Sequence, residues 1–65
     1  MNVIVNAAER QVAEDATVRS LLAAMNLRPE KVAIELNRKL LRSGQYDQPL
    51  KEGDRLEIVT FVGGG

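Results

Sequence analysis

The chain has 65 residues, no cysteine and no histidine; at that length it is expected to form one small domain whose aliphatic core works without disulfide or zinc staples. Its nine basic and nine acidic residues cancel and are interspersed, which leaves no electrostatic footprint for DNA or RNA. No apolar run approaches the roughly 20 residues that a membrane-spanning helix needs, and the opening MNVIVNAAERQ lacks the basic region and long apolar stretch of a signal peptide, so a soluble, cytoplasmic protein is expected.

Residues 2–6 alternate around Val3 and Val5, with Ile4 on the opposite side, and predict a first strand. A turn over residues 7–9 and a return strand over residues 10–13, with Val12 inward, would complete a hairpin, although no Asn-Gly marks its loop. In VRSLLAAMNL, residues 18–27, the side chains of Val18, Leu21, Leu22 and Met25 recur at i, i+3, i+4 and i+7, one face of a helix. Thr17 suits its N-cap, and Asn26 with Pro29 soon after suits its stop.

Alternation returns over residues 32–37, with Val32, Ile34 and Leu36 on one face and Ala33, Glu35 and Asn37 on the other. Asn37, Arg38 and Lys39 predict a turn into a very short strand at Leu40 and Leu41. Residues 42–49 predict a polar loop with one helical turn near Tyr46, and Leu50 an isolated core contact. A tight turn over Glu52, Gly53 and Asp54 then leads into RLEIVTFV, residues 55–62, a strand with Leu56 and Ile58 inward. The order strand, strand, helix, strand, short strand, loop, strand implies an α+β domain in which one amphipathic helix covers one face of a small mixed sheet.

No side chain is placed for catalysis. Nucleophilic and metal-assisted mechanisms lack Cys, His and any serine in a nucleophile-elbow setting, and the carboxylates are scattered among turns and exposed strand positions. The chain is therefore expected not to be an enzyme by itself, with no catalytic residue and no metal ligand. What stands out is the end. Gly63, Gly64 and Gly65 are no phosphate loop, because no helix follows to aim its N–H groups at an anion. Fraying is the ordinary reading of such an end; against it, the large apolar Phe61 and Val62 stand just before the glycines, where a partner could grip them. Three residues without Cβ also extend about 10 Å through a narrow channel, enough to present a carboxylate inside another protein.

These features together, namely the MNVIVN opening, the TVRSLLAAMNL helix, the VAIELNRKLL strand-turn-strand and the EGDRLEIVTFVGGG ending, resemble the ThiS family of ubiquitin-like sulfur carriers of thiamine biosynthesis, over the whole chain. The resemblance implies a β-grasp fold across residues 1–65, with residues 62–65 as a flexible tail. It implies that a ThiF-type adenylyltransferase uses ATP and magnesium to adenylate the Gly65 carboxylate. Sulfur relayed from a cysteine desulfurase then leaves a thiocarboxylate, which a ThiG-type thiazole synthase consumes. Gly65 would carry the sulfur, Gly64 and Gly63 the slim approach, and Phe61, Val62 and the outward Val59 would belong to a docking patch. The carrier itself would hold no cofactor. A carrier for molybdopterin or another sulfur pathway, a ubiquitin-like protein modifier, and an inert β-grasp interaction module share the fold, and the first two kinds share the tail; fold alone does not separate them.

Overall fold

The structure, a computed structural model, describes residues 1–61. Strand β1 (Asn2–Val5) reverses directly into β2 (Ala8–Gln11). The reversal uses Asn6 and Ala7, with φ of 48° and 70°; two successive left-handed residues make the type I′ turn whose twist matches that of paired strands. The expected turn over residues 7–9 and strand over residues 10–13 are thus displaced. Asn6, one of the few side chains that tolerates this conformation, starts the turn earlier, and the strand begins at Ala8. Val12 lies beyond the strand, and packs half-buried against the core as its apolar character demands.

Helix α1 (Val18–Ala24) is only seven residues long, too short to persist by backbone hydrogen bonding alone. Its ends and its buried face hold it. The Thr17 hydroxyl accepts from the Ser20 N–H at 3.1 Å, and the Ser20 hydroxyl accepts from the Thr17 N–H at 2.9 Å, a reciprocal box. At the other end Met25 is the cap and Asn26 follows with φ 59°. The Leu27 N–H donates to the Leu22 carbonyl and the Asn26 N–H to the Ala23 carbonyl, which closes a Schellman motif. Asn26 therefore stops the helix as expected, and Met25 contributes to its apolar face from the cap position, half-buried.

A 3₁₀ turn at Pro29–Lys31 leads into β3 (Val32–Leu36), then β4 (Lys39–Leu41), a second 3₁₀ turn at Ser43–Gln45, and β5 (Arg55–Thr60). The turn between β3 and β4 repeats the device of the first hairpin, with Asn37 and Arg38 at φ 52° and 71°. Asn37 therefore belongs to the turn and not to the strand. The helical turn expected near Tyr46 is the Ser43–Gln45 turn, with Tyr46 as its cap. Gly53, at φ 83°, occupies the position where a turn from Lys51 to Asp54 requires positive φ.

The strands form one sheet in the order β2-β1-β5-β3-β4, with β5 parallel to β1 and antiparallel to β3. Period-two alternation sends Val3, Val5, Ile34, Leu56 and Ile58 to one face, where Val18, Leu21 and Leu22 of α1 meet them in a single buried cluster. The segment before β5 closes the core from the side: Tyr46 and Leu50 are buried, and the Leu50 N–H donates to the Ala16 carbonyl at 2.8 Å. This is an α+β, β-grasp (ubiquitin-like) architecture.

Candidate functional site

Strand β5 is the axis on which the candidate site is built. It lies in the centre of the sheet, and its first residues pair with β1, Ile4 opposite Arg55 and Val5 opposite Leu56. Then β1 ends at its hairpin while β5 runs on. The Asn6 side chain extends the ladder by one step: its Oδ1 accepts from the Ile58 N–H at 2.7 Å and its Nδ2 donates to the Ile58 carbonyl at 3.1 Å. An amide carries one donor and one acceptor in the geometry of a peptide group, so it stands in for the missing strand.

Asn37 does the same work at the start of β5. Its Oδ1 accepts from the Arg55 N–H, and its Nδ2 donates to Asp54, whose other carboxylate oxygen accepts from the Lys51 N–H. Both turn asparagines thus anchor β5, Asn37 at its first residue and Asn6 at Ile58 farther along. Sequence reasoning placed Asn6 and Asn37 at the ends of strands and missed this role; an asparagine at the start of a hairpin turn was the available signal.

On its other side β5 pairs with β3 from Leu36 opposite Leu56 to Val32 opposite Thr60. Phe61, expected within the strand, lies just past its end, yet its N–H still donates to the Lys31 carbonyl at 2.8 Å. The chain is thereby held in line with β5 up to the last described residue. Val62, Gly63, Gly64 and Gly65 lie outside the described residues, and with them the expected tail and its reactive end.

Of the proposed gripping residues, Val59 is 60% exposed and Phe61 57% exposed, although both are large and apolar. Val59 sits opposite Ala33 on the face of the sheet that α1 does not cover. Leu40 on β4, 66% exposed, joins that face and was not singled out by the sequence. A shallow groove there is lined by Ala33, Ile34, Leu40 and Val59 together with Glu35 and Glu57. Ile4 lies on the same face toward β1, half-buried. The two glutamates, taken from the sequence as scattered solvated groups, are exposed but directly opposed across β3 and β5.

Among the described residues no three Asp or Glu side chains converge as metal ligands would, and no helix is long and apolar enough to cross a membrane. The arrangement offers a rigid central strand leading to the end of the chain, with an apolar, partly acidic sheet face beside it.

Comparison with known proteins gives this geometry its family. The ThiS family model matches residues 3–65. Thiazole synthase of Paramagnetospirillum magneticum is 38% identical over 66 residues, and that of Magnetococcus marinus 35%; the match covers all of this chain but 20% of either protein, so the chain spans about a fifth of their length. Sulfur carrier protein ThiS of Bacillus subtilis is 36% identical over 53 residues, 80% of each chain. The crystal structure of thiamine biosynthesis protein ThiS from Geobacter metallireducens superposes with a TM-score of 0.80 at 38% identity, covering both chains completely. The chain belongs to the ThiS family.

Proposed function

We propose that this chain is a sulfur carrier protein of thiamine biosynthesis, a co-substrate and not a catalyst, acting in the cytoplasm. The observation that carries this reading is the family match, which runs through the whole fold to Gly65. The kinship with a segment of thiazole synthases in two organisms favours thiazole formation over other sulfur pathways.

The chemistry assigned to the chain is that of a terminal carboxyl group. A carboxylate resists nucleophiles because its leaving group would be oxide. A ThiF-type partner with ATP and magnesium removes that obstacle: a Gly65 carboxylate oxygen attacks the α-phosphorus, pyrophosphate leaves, and the acyl group is joined to AMP. A persulfide supplied through a cysteine desulfurase displaces AMP, and a second thiol cleaves the resulting acyl disulfide to free the thiocarboxylate. The sulfur is then a nucleophile toward the substrate of thiazole synthase. As the acyl–sulfur bond breaks, an oxygen from water or from that substrate takes its place at the acyl carbon, and the carboxylate returns for another cycle. Gly63 and Gly64 suit this role because a chain without Cβ atoms can enter a narrow active site. Val59, Phe61 and Val62 are assigned to the grip that keeps it there.

Intact mass spectrometry tests the proposal directly. After incubation with ATP, magnesium, a ThiF-type enzyme, a cysteine desulfurase and cysteine, the full chain gains about 16 Da, the exchange of one oxygen for one sulfur. Deletion of Gly64 and Gly65 abolishes the gain and leaves the melting temperature unchanged within a degree or so, because terminal residues add little to a core. An unmodified mass for the full chain, with partners that load another carrier, would sink the sulfur-carrier reading.

A further inference from the structure

The sheet face left open by α1 combines two features that a solvated surface has no reason to combine. Leu40 and Val59 are exposed large apolar side chains within one groove. Beside them Glu35 and Glu57 lie directly opposite each other across the antiparallel β3–β5 pair, with Leu40 opposite Glu35 on β4. Directly opposed residues have Cβ atoms about 4.5–5.5 Å apart, and like charges at that spacing destabilise a sheet. None of the ion pairs among the described residues involves either glutamate. Arg38 and Arg55 line the adjoining groove with them, but neither is within ion-pair distance.

From this we infer that the groove receives a guanidinium flanked by apolar side chains on the surface of thiazole synthase, with Glu35 and Glu57 sharing the cation and Leu40 and Val59 packing around it. The argument is charge complementarity. Two carboxylates held side by side by strand register present acceptors to a planar fork of N–H donors, and an arginine fits that arrangement where a single lysine ammonium fits it less well. The apolar walls exclude water, which strengthens the pairing. Binding also relieves the repulsion, so the cost in the free carrier becomes selectivity for a basic partner. A local rule broken in an otherwise consistent sheet is where a functional surface is expected.

The inference rests on the carrier reading, and the test keeps the two apart. Thiazole synthase is titrated with the full-length carrier at low and at raised ionic strength. The double substitution Glu35→Gln with Glu57→Gln weakens binding by about thirtyfold or more and flattens its salt dependence, as expected when a water-excluded charge pair at an interface loses one partner. The same double variant, free in solution, melts a few degrees higher because the opposed charges are gone. Leu40→Ser weakens binding without altering the salt dependence, and Asp15→Asn, which removes a charge from the loop before α1, changes neither readout. If the wild-type chain takes up sulfur and binds the synthase, but the double variant binds equally well with the same salt dependence, the docking inference fails and the carrier reading stands. A lower melting temperature for the double variant overturns the premise that the pair is unsatisfied. A wild-type chain that neither takes up sulfur nor binds the synthase overturns the carrier reading itself.

Discussion

Four non-glycine residues, Asn6, Ala7, Asn37 and Arg38, accept left-handed conformations so that two hairpins can close in the tightest way. Both asparagines repay the strain by hydrogen bonding to β5, Asn6 at Ile58 and Asn37 at Arg55. Ala7, at φ 70°, has only its methyl group to show for it and is exposed. A Cβ in the left-handed region costs about 1–2 kcal/mol, while glycine costs about 0.5–1 kcal/mol more in chain entropy. Ala7→Gly is therefore expected to stabilise the fold by about 0.5–1 kcal/mol, read as a higher urea midpoint at constant m-value. A lower midpoint would mean that the entropy of glycine outweighs the strain. The absent Asn-Gly signal in the sequence misplaced this turn, because the second turn residue is one that seldom adopts the required φ.

At the scale of elements, α1 illustrates how a short helix is made secure by its surroundings. Its first-turn N–H groups need partners. Ser20 finds one in the Thr17 hydroxyl, and Arg19 finds one in the Tyr46 carbonyl at 2.9 Å, across the chain from the second 3₁₀ turn. The neighbouring Arg19–Asp47 ion pair, 2.8 Å long but with both side chains substantially exposed, adds little in water. Thr17→Ala removes one arm of the capping box and is expected to cost about 1 kcal/mol, measured by chemical denaturation. An unchanged midpoint would show that the Tyr46 contact and the buried face of Val18, Leu21 and Leu22 suffice. The periodicity and the caps of this helix were legible in the sequence because both depend on residues within one or two turns of each other. The Tyr46 contact was not, since nothing local links residues 19 and 46.

For the whole molecule, the last strand is the middle of the sheet, so the domain is not assembled until the two ends of the chain meet. Leu56 is at that junction, 1% exposed, opposite Val5 on one side and Leu36 on the other. A domain of this size has about 3–10 kcal/mol of stability, and emptying a fully buried leucine site costs about 2–5 kcal/mol. Leu56→Ala is accordingly expected to remove about half of the total and to broaden or abolish the native baseline in thermal melts followed by circular dichroism. A loss under about 1 kcal/mol would mean that the core collapses into the space. The central place of β5 also means that the strand before the terminal glycines is paired on both sides, with β1 and with β3, and is braced by the Asn6 side chain at Ile58.

Residue type and spacing were enough to establish one amphipathic helix, alternating strands, and the inward positions Val3, Val5, Ile34, Leu56 and Ile58. Those inferences are local, since period and capping act over a few residues. Alternation also placed Val59 and Glu35 on outward faces, but it is silent about which outward residues are neighbours. Strand order and register decided that: pairing of β3 with β5 set Glu57 against Glu35 and Val59 against Ala33, and pairing of β4 with β3 brought Leu40 beside them. Contacts between strands distant in sequence depend on how hydrophobic faces are buried together across the whole chain, and only the folded sheet turns scattered surface residues into a groove beside the strand that carries the tail.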